Sequence, residues 1–258
     1  MNLTIRHISA AYRKKPIVED VSFSVPSGSI TALTGRNGAG KSTLISCLMG
    51  EKRDYTGEIL LGGQNVRALS PIDRARNMAC LPQELPAPHV QVRELVSFGR
   101  TPFLPLNGKL TPNDKEKVDW ALSVTGMGQF EDNFVDTLSG GERKKAFFAM
   151  TLAQDTPLVI LDEPTAHLDS ASRFQFLELM DTVRRETGKT FLVVMHDLPE
   201  ALLCADQLVT LHDHRLVFSG SGSDFLASTI PQVCFHIALR GNREDGYAVT
   251  PLHTPPQI

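Results

Sequence analysis

The sequence lacks the features that mark membrane-spanning, secreted and strongly basic proteins. None of its apolar runs approaches the about 18 uninterrupted residues that a membrane-spanning helix requires. Residues 1–6 do not have the charged and then apolar layout of a secretory signal, so we expect none. The formal net charge is only −3 over 258 residues, so no overall basic field indicates a nucleic-acid partner.

Cysteine is also scarce. The four cysteines are Cys47, Cys80, Cys204 and Cys234, and no two of them form a C-x-x-C pair. Scattered cysteines are typical of reduced, buried side chains, so we expect neither disulfides nor a cysteine metal site. These absences leave a cytoplasmic α/β protein that is long enough to bury a full core.

Strand and helix patterns divide the chain into regions of different character. Residues 1–34 are rich in predicted strands, whereas prolines and helical stretches dominate about 86–155. A continuous apolar strand at 158–161 then restores an α/β pattern. The helices predicted within the proline-rich region cover 92–97, 114–125 and 142–153.

This pattern predicts one domain over residues 1–240. In it, a helical subdomain at about 86–155 is inserted in an α/β core. We expect residues 241–258 to form a poorly ordered C-terminal tail, because the chain ends in a proline-rich polar stretch.

The most informative stretch is a glycine-rich loop between a predicted strand and a predicted helix. Its sequence, GRNGAGKST, fits the phosphate-binding pattern G-x-x-x-x-G-K-[ST] with one further hydroxyl residue. Glycines allow backbone conformations that a Cβ forbids, and they bring amide groups close to an anion at a helix N-terminus. The residues that we expect to bind ATP here are Gly35, Arg36, Asn37, Gly38, Ala39, Gly40, Lys41, Ser42 and Thr43.

Three side chains of this loop have distinct predicted roles. Lys41 would reach the β- and γ-phosphates as a mobile point charge. Ser42 would hold Mg²⁺ through its hydroxyl, and Thr43 would contact a further phosphate oxygen. The predicted ligand is therefore ATP with Mg²⁺.

Two adjacent carboxylates, Asp162 and Glu163, follow the apolar strand at 158–161. Side chains alternate along a strand, so the two residues can take different roles. Asp162 would orient Mg²⁺ or its waters, and Glu163 would polarise the water that attacks the γ-phosphate. Acidic residues at the end of a strand also cap the next helix, and the phosphate loop upstream favours the catalytic role.

Ser139, Gly140, Gly141 and Glu142 open a predicted helix and form a second helix start that suits an anion. A single active site rarely needs two such helix starts from one molecule. The economical arrangement is a head-to-tail homodimer, in which the phosphate loop of one copy faces this segment of the other across one ATP.

Together these motifs resemble the ATP-binding subunit of an ABC transporter, and their order covers nearly the whole chain. The resemblance implies an ABC-type nucleotide-binding domain, an α/β fold with a RecA-like P-loop core, an antiparallel β subdomain and an α-helical subdomain. It also implies that Ser139 to Glu142 are the signature motif, which in the family more often ends with glutamine.

The resemblance assigns roles to further residues. Tyr12 would stack on adenine, and Gln83 would contact both Mg²⁺ and the attacking water. His196 would touch the γ-phosphate, and Asp169 lies in the segment that communicates across the dimer. The family more often has serine and alanine before that segment, so the resemblance leaves the role of His167 open.

A narrower resemblance concerns the transported solute. Residues 81–86 and 92–103 are similar to cassettes that energise uptake of iron chelates, haem and cobalamin, and residues 138–155 look most like the ferric-hydroxamate type. They depart from it at Lys144 and Lys145, where that type more often has Gln-Arg. We expect the charged run Arg143, Lys144 and Lys145 to be a solvated helix face, with contact to the partner or to lipid head groups as the alternative.

This resemblance implies an ATPase that powers an importer for iron–siderophore chelates. Two integral membrane permease subunits would contact the helical subdomain, and a substrate-binding protein would complete the assembly. The chain would lie peripherally on the cytoplasmic face of the inner membrane, without contact with the solute or with nucleic acid. The resemblance does not identify the chelate.

Other functions use the same ATPase motifs. A soluble ABC ATPase of DNA repair or translation usually has two cassettes in one chain or a long coiled-coil insertion, and the sequence contains neither. An exporter cassette is usually fused to membrane spans. A regulatory protein that barely hydrolyses ATP would not need both Glu163 and His196.

Overall fold

The computed structural model of the protein describes residues 1–13, 15–105 and 108–252. Within those ranges the strands are β1 (Leu3–Tyr12), β2 (Lys15–Val25), β3 (Ile30–Thr34), β4 (Tyr55–Leu61), β5 (Gln64–Asn65), β6 (Met78–Leu81), β7 (Leu158–Asp162), β8 (Thr190–Val194), β9 (Gln207–His212), β10 (Arg215–Gly220), β11 (Ile237–Asn242) and β12 (Gly246–Pro251). The α-helices of the same ranges are α1 (Lys41–Met49), α2 (Pro71–Asn77), α3 (Val92–Phe98), α4 (Pro112–Val124), α5 (Gly140–Ala153), α6 (Ser170–Thr187), α7 (Leu198–Cys204), α8 (Gly222–Ala227) and α9 (Ile230–Phe235).

The chain divides into two compact units. The first unit consists of Met1–Leu69 and Leu192–Ile258, and the second unit consists of Ser70–Phe191. The division therefore falls within β8, and the two units are described separately below.

The first unit contains an antiparallel sheet with the strand order β2-β1-β4-β5. It also contains β3, which pairs in parallel with β9, while β10 pairs with β9 in the antiparallel sense. All residues of β3 are buried, as expected of a strand that is covered on both faces. This strand leads directly into the glycine-rich loop and α1.

The second unit places two predicted motif residues side by side. Its strands β6 and β7 are parallel, with Met78 opposite Leu158 and Leu81 opposite Leu161. Because parallel strands end at the same edge of a sheet, the residues that follow β6 and β7 emerge next to each other. Gln83 and Glu163 both lie at this edge.

The helices of the second unit are held together by a buried ion pair. The Arg100 Nε donates to Asp114 Oδ1 at 2.9 Å, and Arg100 Nη1 donates to the carbonyl oxygen of Ala153 at 2.8 Å. These contacts join the residues after α3, the start of α4 and the end of α5. Nearby, α3 and α5 approach so closely that a Cβ at Gly99 would collide with the Met150 carbonyl oxygen.

The prediction of a poorly ordered segment after residue 240 is wrong for residues 241–252. Strands β11 and β12 pair from Ile237 with Pro251 to Asn242 with Gly246. The side chain of Asn242 accepts hydrogen bonds from the amides of Glu244 and Asp245 at 2.8 Å each, which closes the turn. Residues 253–258, which belong to the same prediction, lie outside the described residues.

The turn of this hairpin is also attached to the end of α7. Arg243 Nε donates to the Leu202 carbonyl oxygen at 3.1 Å, and Arg243 Nη2 donates to the Ala205 carbonyl oxygen. An arginine at the C-terminus of a helix satisfies carbonyl groups that have no partner within the helix. The sequence does not predict this hairpin, because a proline-rich end is typical of a poorly ordered tail.

We predict that Asp114→Asn lowers the free energy of unfolding by about 3–5 kcal/mol, because it leaves the buried Arg100 charge without its counter-ion. Burial alone would raise the pKa of the Asp114 carboxyl. Hydrogen bonds from Thr111 and the hydrogen bond and charge of Arg100 outweigh burial, however, and hold that pKa below its ordinary value. The stabilisation is therefore present above the ordinary carboxyl pKa and is lost as the pH falls through the lowered value. Denaturant titrations of the wild type and the variant at neutral and acidic pH measure this difference in the free energy of unfolding.

The chain offers a matched control. Arg93 and Asp119 form an ion pair at 2.7 Å, but the Asp119 side chain is 58% exposed whereas that of Asp114 is 3% exposed. Asp119→Asn should therefore cost less than about 1 kcal/mol. Equal effects of the two substitutions would show that burial does not determine the strength of the Arg100 pair.

Candidate functional site

The glycine-rich loop has a backbone that side chains would not permit. Gly35, Gly38 and Gly40 have φ angles of 145°, 83° and 108°. A Cβ at Gly35 would also collide with the Leu211 carbonyl oxygen, and one at Gly40 with the Ile17 carbonyl oxygen. Glycine is therefore required at the two ends of the loop for space as well as for conformation.

Lys41 lies inside the loop rather than in solvent. Its side chain is buried, and its Nζ donates to the carbonyl oxygens of Gly35 at 2.6 Å and Arg36 at 3.2 Å. Helix α1 begins at Lys41, with Gly40 as its N-cap, so no capping side chain competes for the first amides of the helix. This helix start suits an anion.

The remaining loop residues differ in exposure. Ser42 is exposed, as are Arg36 and Asn37, whereas Ala39 and Thr43 are buried. The Ser42 hydroxyl is thus accessible to a ligand at the first turn of α1. All the loop residues predicted to bind ATP lie in the first unit.

Tyr12, the predicted adenine contact, ends β1 in the same unit and is 51% exposed. The Lys52 ammonium lies 4.3 Å from the centre of its ring and donates to the Ala11 carbonyl oxygen at 2.8 Å. Beside the ring is an open cleft of about 400 Å³, whose lining includes Ser46 of α1. Lys52 was not among the predicted site residues, and this cation–π contact fixes one face of Tyr12.

Gln83 and Glu163 are in direct contact in the second unit. Gln83 Nε2 donates to Glu163 Oε2 at 2.8 Å, which follows from the parallel pairing of β6 and β7. Asp162 ends β7 and is half-buried. Glu163 has a left-handed backbone with φ of 50°, a conformation that is uncommon for residues other than glycine.

The predicted signature motif starts α5 and is closed by its own side chains. Ser139 Oγ accepts from the Glu142 amide at 3.3 Å, and Glu142 Oε2 accepts from the Ser139 amide at 2.9 Å and from its hydroxyl at 2.6 Å. This is a capping box. Hydrogen bonds from the Ser139 hydroxyl and amide hold the pKa of the Glu142 carboxyl below its ordinary value.

Asp169 has a local structural role in this structure. It is the N-cap of α6, where its carboxylate accepts from the Ser172 amide at 3.0 Å and from the Ser172 hydroxyl at 2.6 Å. These hydrogen bonds lower the pKa of the Asp169 carboxyl. His167 precedes it with a φ of 64° and is exposed.

His196 follows β8 in the first unit and is exposed. The next residue, Asp197, caps α7 by accepting from the Glu200 amide at 3.0 Å. The described residues of the second unit contain Gln83, Ser139 to Glu142, Asp162, Glu163 and Asp169, whereas Tyr12, the glycine-rich loop and His196 belong to the first unit.

The prediction of a solvated helix face at Arg143, Lys144 and Lys145 is wrong for Lys144. That residue is 5% exposed, and its Nζ donates to the carbonyl oxygens of Ala166 at 3.1 Å and Glu163 at 3.4 Å. Burial lowers the pKa of the Lys144 ammonium, and the nearby Glu163 charge partly opposes this effect.

A signal for this burial was present in the sequence. Lys144 lies at helical spacing from Phe147, Phe148 and Thr151, which are all buried in α5. A charged residue on that apolar face must find hydrogen-bond partners inside the protein.

No helix in the part of the chain that the structure describes is long and apolar enough to cross a membrane. Within the same ranges, no group of three or more His, Cys, Asp or Glu side chains is placed to hold a metal ion.

Comparisons with known proteins agree with these observations. The family model described as ABC transporter matches residues 18–166. The iron(3+)-hydroxamate import ATP-binding protein FhuC of Bacillus subtilis (strain 168) is 37% identical over 92% of this chain and 88% of its own length. The achromobactin transport ATP-binding protein CbrD of Dickeya dadantii (strain 3937) is 35% identical over 98% of this chain and 94% of its own length.

A solved structure of a metal-chelate type ABC transporter in an inward-facing conformation is also similar. It has a TM-score of 0.83 and 23% sequence identity, and the match covers 98% of each chain. At this identity the likeness bears on the fold alone. It confirms the predicted α/β fold class.

We predict that Lys41→Met weakens ATP binding about tenfold or more, because it removes a buried cation from the phosphate loop while keeping the aliphatic stem. Titration with a fluorescent ATP analogue, followed by competition with ATP, measures the dissociation constant. Lys115→Met serves as the control, because Lys115 is exposed on α4. Unchanged ATP affinity in Lys41→Met would contradict the assignment of this loop.

Proposed function

The chain belongs to the ABC transporter family of ATP-binding proteins, and from this premise we propose that it powers an importer of iron–siderophore chelates by hydrolysing ATP. The observation that carries the catalytic part is the contact between Gln83 and Glu163 at the shared edge of β6 and β7. This contact holds the Glu163 carboxylate beside the Gln83 amide, which can contact water. ATP binding itself is a property of the family.

In this proposal the glycine-rich loop binds the phosphates. The amides at the start of α1 surround the β-phosphate, and Lys41 turns its ammonium from loop carbonyl groups toward the β- and γ-phosphates. Thr43 contacts a further phosphate oxygen. Tyr12, with one face against Lys52, offers its ring to adenine.

Glu163 is the proposed general base. Its carboxylate polarises the water that attacks the γ-phosphate, and the hydrogen bond from Gln83 orients that carboxylate. His196 is proposed to contact the γ-phosphate, which agrees with its exposure at the end of β8. In phosphoryl transfer most of the catalysis comes from such positioning and from neutralising charge.

The side chains present fit Mg²⁺. Ser42 offers an exposed hydroxyl, Asp162 a half-buried carboxylate and Gln83 an exposed amide oxygen, and Mg²⁺ prefers oxygen donors of these kinds. When bound, Mg²⁺ neutralises charge on the phosphate oxygens. These three residues are the proposed ligands.

The second helix start supports a homodimer in the ATP-bound state. Ser139 to Glu142 begin α5 with backbone amides that suit an anion, and the same chain already has such a start at α1. We expect the signature segment of one copy to bind the ATP held by the phosphate loop of the other. Asp169 would then contribute to contacts across the dimer.

The helical part of the second unit is the proposed contact for two membrane permease subunits. Exposed apolar side chains occur in this unit at Ile72 and Phe98, which are 49% and 48% exposed. The permease is proposed to cover these two side chains. The chain would then lie peripherally at the cytoplasmic face of the membrane, in an assembly that includes a substrate-binding protein.

The proposed solute class comes from the similarity to FhuC and CbrD, whose names specify transport of iron(3+)-hydroxamate and achromobactin. Both matches cover nearly the full length of this chain, including the helical segment proposed to contact the permease. The chelate itself would not contact this subunit, so its identity must be determined with the whole assembly.

We predict that Glu163→Gln retains ATP binding, lowers the hydrolysis rate at least about 100-fold and accumulates an ATP-bound dimer. Phosphate release measures turnover, and size-exclusion chromatography with light scattering measures the dimer. Glu178→Gln, at an exposed position of α6, is the control and should leave both unchanged. Rapid hydrolysis by Glu163→Gln would rule out Glu163 as the base.

We also predict that the tagged protein co-purifies from detergent-solubilised membranes of its host with a polytopic permease. A strain that lacks the gene should lose uptake of ⁵⁵Fe supplied as a ferric hydroxamate, and the wild-type gene, but not Glu163→Gln, should restore it. Recovery only with ribosomes or DNA would keep the ATPase and contradict the transporter. Uptake that is unaffected by the deletion would contradict this solute class.

A further inference from the structure

Lys144 is a buried cation that the hydrolysis scheme above does not use. It lies on α5, the helix that starts at the signature segment, and its side chain is 5% exposed. A buried ammonium is costly unless hydrogen bonds replace its lost hydration. Its partners are the carbonyl oxygens of Ala166 at 3.1 Å and Glu163 at 3.4 Å.

Both acceptors belong to the turn that carries Glu163. Within it, the Ala166 amide donates to the Glu163 carbonyl at 3.1 Å, and the Leu168 amide donates to the Thr165 carbonyl at 3.3 Å. The turn contains two left-handed residues that are not glycine, Glu163 with φ of 50° and His167 with φ of 64°. Such conformations persist only where the surroundings determine them strongly.

Lys144 reaches carbonyl groups at the start and in the middle of this turn. An ammonium group has three donors and a hydrogen bond from a charged donor is stronger than a neutral one, so a single side chain can fix both carbonyl groups. The Glu163 carboxylate accepts a hydrogen bond from Gln83 at 2.8 Å. Glu163 is therefore held at its backbone by Lys144 and at its side chain by Gln83.

We infer that Lys144 is a positioning residue for ATP hydrolysis, which keeps the Glu163 turn in the left-handed conformation that directs its carboxylate toward the attacking water. The inference rests on the proposed role of Glu163 as general base. Lys144 acts through the backbone of Glu163 and does not contact ATP.

Lys144 lies on the same helix as the signature segment. Helix α5 begins at Gly140, with Ser139 as its N-cap and Glu142 in its first turn. The same helix therefore contributes both the segment proposed to bind ATP of the other copy and the cation that holds the Glu163 turn of its own copy.

The test is Lys144→Met in the full-length protein, because methionine keeps the stem and removes every donor. We expect kcat for ATP hydrolysis to fall about tenfold or more, while KM and the ATP dissociation constant change less than about twofold. Lys145→Met is the matched control, because the neighbouring Lys145 is half-exposed and its Nζ donates to the Gln175 side chain at 3.5 Å rather than to the Glu163 turn. It should keep the wild-type kcat.

Two further variants separate positioning from general destabilisation. Lys144→Gln and Lys144→Arg keep N–H donors, so both should retain more kcat than Lys144→Met, whatever their denaturation midpoints. In single-turnover measurements on the Glu163→Gln background, adding Lys144→Met should change the residual rate less than about twofold, because Lys144 acts through Glu163.

The possible failures are distinguishable. If the wild-type protein does not hydrolyse ATP even with its permease, the proposed function fails and the inference fails with it. If the wild type hydrolyses ATP and Lys144→Met retains kcat within about twofold, only the inference is overturned. Equal rates in the Met, Gln and Arg variants, or an undiminished effect on the Glu163→Gln background, would also overturn it.

Discussion

The turns that carry the site residues depend on one interaction, the hydrogen bond that a buried cation donates to a backbone carbonyl oxygen. Lys41 donates to the carbonyls of Gly35 and Arg36 in the phosphate loop, and Lys144 donates to those of Glu163 and Ala166. Arg100 does the same for the last residue of α5. The turns proposed to act in catalysis are thus held by side chains that a pattern of apolar residues does not identify.

The regular elements could largely be predicted from the sequence, because burial periodicity and turn residues act locally. The predicted start at 92 is that of α3, whereas the starts predicted at 114 and 142 are two residues too late. The predicted starts at 114 and 142 are the third helical positions of α4 and α5, whose acidic side chains close capping boxes on Thr111 and Ser139. The hairpin of β11 and β12 was missed because its stability comes partly from Arg243 bound to α7, a contact distant in sequence.

The site was predictable to the extent that its chemistry is carried by contiguous motifs. Strand pairing then adds what no motif contains, since the contact between Gln83 and Glu163 follows from the register of β6 against β7. For Lys144, by contrast, the local sequence pattern is misleading. A run of three basic residues looks like a solvated surface, and only the position of the middle one on the apolar face of α5 distinguishes it. Charge and helical position have to be considered together to identify such a residue.

The two helix starts proposed to bind phosphate differ in their N-caps. At α1 the N-cap is Gly40, which has no side chain to occupy the first amides. At α5 the Ser139 hydroxyl donates its single hydrogen to Glu142 Oε2 at 2.6 Å, and the Glu142 amide already donates to that hydroxyl. A phosphate oxygen can therefore accept a hydrogen bond from the Ser139 hydroxyl only if the Glu142 carboxylate gives up its own. At α1 the exchange proposed on binding involves Lys41, which leaves the Gly35 and Arg36 carbonyl oxygens, and only at α5 does it involve the cap of the helix itself.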